Sequence, residues 1–151
     1  KGFCLSLMMK QLAILISLTC LYGSVEGQII KEYINPGPGY THVVTISDTN
    51  TKTIYVSGQV GEGMDLATQL RSAFGNLEKQ LADAGAQFSD VVKMTTYIVR
   101  YKESDLETFR KIRGEILGDK EMPANTLVGV YSLYKDEYLV ELEAVAVIEN
   151  K

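Results

Sequence analysis

Cysteine is nearly absent from this 151-residue chain: there are two, Cys4 and Cys20, both within the first 27 residues. With that segment removed no thiol remains, so disulfides, zinc–thiolate sites and cysteine nucleophiles are excluded together. Histidine is scarcer still. His42 stands alone, with no second histidine, no cysteine and no ligand-spaced carboxylates to join it, so no metal site is expected. Neither a GxGxxG nor a Walker-type loop occurs, and no nucleotide cofactor is implied. Excess positive charge is missing too. Removing Lys1, Lys10 and Glu26 from the 15 basic and 19 acidic residues leaves 13 and 18. A nucleic-acid surface concentrates Lys and Arg on one face, because phosphate contacts dominate affinity; this balance speaks against such a partner. The apolar run from Leu12 to Leu21 falls short of the about 20 residues that a membrane span needs.

That run reads instead as the core of an export signal. Lys10 gives it a positive flank, and Gly23-Ser24-Val25-Glu26-Gly27 offers small residues for cleavage before Gln28. The expectation is an exported, periplasmic or secreted, chain, with lipid attachment at Cys20 as the alternative. Residues 28–151 then form a single domain with no membrane span. Asn35-Pro36-Gly37-Pro38-Gly39 is the one Pro/Gly-rich stretch and reads as a turn between two early strands.

Two amphipathic helices are predicted. From Asp65 to Ala84, Leu66, Leu70, Ala73, Phe74, Leu77 and Leu81 fall on one stripe, and Gly85 supplies the stop. Ser104-Asp105-Leu106-Glu107 reads as a capping box. It opens a second helix that turns Leu106, Phe109, Ile112 and Ile116 inward and ends near Gly118. β-Branched residues place strands at Thr41–Ile46 and Thr53–Gln59, joined by a turn at Ser47–Asn50. Further strands are expected at Val91–Val99, Thr126–Tyr131 and Tyr138–Ile148, with a weaker one at Ile30–Ile34. The last strand is apolar on both faces beyond Glu143, which predicts cover on both sides.

The order of short motifs resembles the RidA/YjgF family of enamine and imine deaminases, also called the endoribonuclease L-PSP family. The resemblance spans Ile30 to Ile148. It rests on Ile54-Tyr55-Val56-Ser57-Gly58-Gln59, on Gln69, Ala73, Asn76-Leu77, Leu81 and Ala84-Gly85-Ala86, and on Asp90 to Tyr97. The carboxyl-terminal part adds Met122-Pro123-Ala124-Asn125-Thr126-Leu127-Val128-Gly129-Val130, then Leu139 to Ala146. It implies an α+β, chorismate-mutase-like fold: a mixed sheet of about six strands with two helices on one face, trimerising around a central barrel. Active sites would lie in clefts between subunits, where a small-molecule ligand binds.

Residue by residue, the resemblance assigns Tyr40 and Ser57 to substrate binding and Glu141 to catalysis, as the carboxylate that positions or activates water. Asn125 stands where the family carries an arginine, whose guanidinium would clamp a substrate carboxylate with two parallel hydrogen bonds. Arg113 appears where many members have an asparagine, and would restore a clamp if it reached the cleft. Glu143, two residues from Glu141 on a strand, shares its face. Each residue also has a plainer reading. Glu141 and Glu143 would be a solvated pair, Ser57 a backbone tie, Tyr40 an interface aromatic, His42 a structural histidine and Arg113 a solvated charge. The implied function is a diverged member that binds or hydrolyses a small carbonyl or imine compound. The alternatives are the standard 2-iminobutanoate/2-iminopropanoate deaminase reaction and a non-catalytic, chaperone-like trimer. Ribonuclease activity has little support in the charge balance or the single histidine.

Overall fold

The computed structural model describes residues 28–118 and 121–150. The leader, with its cleavage site and Cys20, lies outside the described residues. Six strands and two helices run in the order β1 (Ile30–Gly37), β2 (Tyr40–Ser47), β3 (Thr51–Val60), α1 (Leu66–Asp83), β4 (Val91–Val99), α2 (Asp105–Leu117), β5 (Ala124–Val130) and β6 (Val140–Glu149), with a 3₁₀ turn at Phe88–Asp90 before β4. The sheet order is β1-β2-β3-β6-β4-β5. Only β4 and β5 are parallel, and α2 is the crossover between them.

Strand alternation divides the sheet into two faces. Val43, Ile54, Val56, Met94, Ile98, Val140, Leu142, Ala144 and Ala146 are buried beneath the helices, against Leu70, Ala73, Phe74, Leu77 and Leu81 of α1 and Phe109 and Ile112 of α2. Each fully buried Leu or Phe contributes about 1.5–3 kcal/mol, so the α1 stripe is the main anchor of the core. The opposite face is less covered: Tyr55, Val128 and Val147 are exposed.

Several local expectations change. β1 continues through the Pro/Gly stretch, pairing Pro36 with Thr41 and Gly37 with Tyr40, so only Pro38 and Gly39 turn. Asn35 makes this possible. It adopts a positive φ of 54°, which asparagine tolerates, and its amide donates to Gln80 at 2.9 Å and Asp83 at 2.7 Å, tying β1 to α1. The capping box at Ser104 does not form. Ser104 is already helical and makes no side-chain cap; instead Asp105 accepts from the Lys102 amide at 2.8 Å. At the start of α1, Asp65 caps the Thr68 amide, and Gly85, at φ 84°, follows its end.

Candidate functional site

The candidate site is built around a β-bulge. Val56 pairs with Ala144 but Gln59 with Leu142, so β3 carries one extra residue at Ser57-Gly58. The insertion lets Val56 and Gln59, three apart, both turn inward and be buried. It also leaves Gly58 beneath the side chain of Glu141. A Cβ at Gly58 would lie 1.6 Å from Glu141 Oε1, so glycine is what allows the carboxylate to rest there.

Tyr40, His42, Ser57, Gly58, Gln59, Val60, Asn76, Tyr134 and Glu141 line a cavity of about 450 Å³. Tyr40 and His42, two apart on β2, share a face and meet edge-on, with ring centroids 5.0 Å apart. Gln59 Nε2 donates to the carbonyls of Ser57 (2.9 Å) and Gly58 (3.2 Å) and lies 3.2 Å from His42 Nδ1. The carbonyls fix this end of the amide as the donor, and the role of His42 Nδ1 beside it is set by the ring's tautomer. His42 Nε2 is 3.3 Å from the Tyr40 hydroxyl, which lies at the cavity lining. Ser57 Oγ donates to the Thr41 carbonyl at 2.6 Å, so it faces a ligand as an acceptor.

Burial, and then the negative charge of Glu143, raise the Glu141 carboxyl above its ordinary value. Glu143 lies one pair along β6 and accepts from the Tyr97 hydroxyl at 3.1 Å. Among the described residues Glu141 has no hydrogen-bonding or ionic partner. Its half-buried carboxylate is therefore free to act on a ligand or a water. Tyr134 enters from the loop between β5 and β6. Its interaction with Tyr138, burial and nearby negative charge raise its phenol to about 12, keeping it protonated at neutral pH.

Tyr40, Ser57 and Glu141 are thus brought together, while Asn125 and Arg113 do not line this cavity within one protomer. Asn125 pairs with Met94 on the helix-covered face of β5, at the sheet edge. Arg113 stacks its guanidinium 5.2 Å above the Phe109 ring. Arg113 Nε and Asn125 Nδ2 are both buried without a hydrogen-bond partner among the described residues. Composition underrated His42; its spacing of two from Tyr40 on a strand was the signal that both share one face. Tyr134 had no such signal, since it arrives from an irregular loop.

A mixed, twisted six-stranded sheet with two helices on one face and a bulged glycine under a strand carboxylate defines an α+β protein with a small-molecule-sized cavity. A sequence profile of the family described as Endoribonuclease L-PSP matches residues 31–148. The chain belongs to this family, the RidA/YjgF family. It is 29% identical over 132 residues to a 2-iminobutanoate/2-iminopropanoate deaminase of Dermatophagoides farinae, covering 81% of this chain and 97% of that one. A RutC family protein of Pyrococcus abyssi is 36% identical over 93 residues, covering 60% of this chain and 67% of that one. A YjgF family member from Mycobacterium tuberculosis superposes with a TM-score of 0.69 at 29% identity, over 79% of this chain and all of that one. RidA from an Antarctic Psychrobacter gives 0.66 at 25% identity, over 75% and 91%.

Proposed function

We propose that this protein is a diverged family member that binds and hydrolyses a small imine in the Glu141 cavity. The observation that carries the reading is the unpaired, half-buried Glu141 carboxylate over Gly58, facing the Tyr40 hydroxyl and Ser57. In the reaction R₂C=NH₂⁺ + H₂O → R₂C=O + NH₄⁺, Glu141 takes a proton from water as its oxygen attacks the imine carbon. The raised Glu141 carboxyl suits a general base, because a more basic carboxylate gives proton transfer more driving force. Glu141 returns that proton to nitrogen, and as the C–N bond breaks the remaining hydroxyl proton passes through Glu141 to the departing ammonia, leaving R₂C=O and NH₄⁺; Tyr40 donates a hydrogen bond to the oxygen that becomes the carbonyl.

The family relative named 2-iminobutanoate/2-iminopropanoate deaminase supports imine chemistry. Asn125 at the arginine's position argues against a 2-imino acid as the preferred substrate. Losing a charge-assisted bidentate contact weakens transition-state binding by several kcal/mol, about a thousandfold in rate. Closure of the cavity by a second copy, as in a trimer, fits the exposed Tyr55, Val128 and Val147 on the face away from the helices. The test is ammonia release from freshly generated 2-iminopropanoate, with Asn125→Arg alongside. The native chain is expected to be at least about a hundredfold slower than an arginine-bearing relative, and comparable rates would refute the reading.

A further inference from the structure

We infer that the Glu141 cavity selects a cationic, carboxylate-free ligand: the protonated imine or primary amine of a compound without an acid group. This rests on the reading of the cavity as the substrate site and adds the ligand's charge. Among the described residues of one protomer no lysine or arginine lines the cavity, and its one carboxylate is Glu141, with His42 its other ionisable side chain besides the tyrosines. That carboxylate has no cationic partner among the described residues, and Glu143 lies along the same strand face. Lys93, a lysine on this face, bonds Thr126 and lies with Glu143 and Ser57 in a neighbouring cavity rather than in this one. An acid ligand would therefore meet the Glu141 carboxylate without a lining cation of the same protomer, whereas an ammonium or iminium would pair with it.

The neutral lining points the same way. Tyr40 and Tyr134 line the cavity with much of their surface open, 52% and 69% exposed, and the faces of tyrosine rings attract cations. Ser57 spends its proton on the Thr41 carbonyl, so toward a ligand it offers lone pairs, which suit an N–H donor. The basic side chains Arg100, Lys102 and Lys135 belong to a separate cavity of about 560 Å³ near the carboxyl ends of β4 and β5. Among the described residues of one protomer, positive charge and the candidate base lie in different cavities.

The experiment titrates the full chain at neutral pH with three small probes of one carbon skeleton: isobutylamine, isobutyramide and isobutyrate. Affinity is read by calorimetry, and occupancy by the ring resonances of Tyr40 and Tyr134. Isobutylammonium is expected to bind at least tenfold more tightly than isobutyrate. Glu141→Gln should remove that preference, and the Tyr40 and Tyr134 resonances should still shift on adding isobutyramide, which shows that the variant cavity is intact. Equal or tighter isobutyrate binding, or a preference that survives Glu141→Gln, overturns the charge selection. If all three probes shift the tyrosine resonances without charge preference, the cavity remains the ligand site and only the substrate class fails. If none shifts them, both readings fail together.

Discussion

Glu141 shows how one backbone choice and one charge set the chemistry of a position. Its carboxylate rests on Gly58 because no Cβ is there, and burial together with Glu143 raises its carboxyl. The folded chain therefore keeps the Glu141 proton to higher pH than the unfolded chain does. Its favourable contribution to stability is full below the unfolded carboxyl's ordinary range and is lost as pH rises through the raised folded value. Asp48, Asp65 and Asp83 are shifted down, mainly by hydrogen bonds, and so contribute above that range; they are common to both proteins in a Glu141→Gln comparison and cancel. Glu141→Gln is expected to raise Tm by roughly 1–3 °C at pH 7–8, with the gain vanishing near pH 4. Calorimetric scans across this range check it, and a gain that grows toward acid would contradict the assignment. At this scale the sequence carried Tyr40, Ser57 and Glu141 into one cavity through short motifs. It did not carry the Gly58 contact or the Gln59–His42–Tyr40 chain, because both depend on a bulge that strand alternation alone does not announce.

Elements were legible where hydrophobic period and stop signals agree. β4 spans Val91–Val99 as expected, and α1 lies within one residue of its predicted ends, because a four-turn apolar stripe bounded by Asp65 and Gly85 leaves little freedom. Boundaries failed where a side chain overrode a local rule, as Asn35 does in carrying β1 through a Pro/Gly stretch and Asp105 in replacing Ser104 at the head of α2. The loop before β6 is the clearest case. Buried Gln69 donates to the carbonyls of Gly63 (3.1 Å) and Glu137 (2.8 Å) and accepts from the Leu139 amide (2.7 Å), fastening to α1 the loop that delivers Tyr134. Gln69→Ala removes all three bonds and leaves backbone groups unpaired, which is expected to cost about 2–4 kcal/mol. Urea denaturation measures the loss, and hydrogen exchange at the Leu139 amide should accelerate more than at core amides of β4. An unchanged Leu139 rate would show that the loop is held by something else.

Across the whole molecule, the two faces of the sheet divide the labour. One face is closed by α1 and α2 and makes the core; the other carries Tyr55, Lys93, Thr95, Tyr97, Glu143 and Val145, mixed in polarity and more accessible. The apolar run after Glu143 announced that both faces need cover, and Ala144 and Ala146 are buried in the core on the helix side. A second copy covering the other face is part of the proposal above; in one chain the need shows only as unspent hydrophobic surface at Tyr55, Val128 and Val147. The site sits at the junction of these levels, with its carboxylate on the exposed side of β6 and its supports on β2, β3 and an anchored loop. The most direct test is the ammonia-release kcat/KM of the native chain and of Glu141→Gln, measured side by side on a small carboxylate-free imine. A general base that also pairs with a cationic substrate predicts a loss of at least about a hundredfold for Glu141→Gln, whereas equal values for the two proteins would contradict the account.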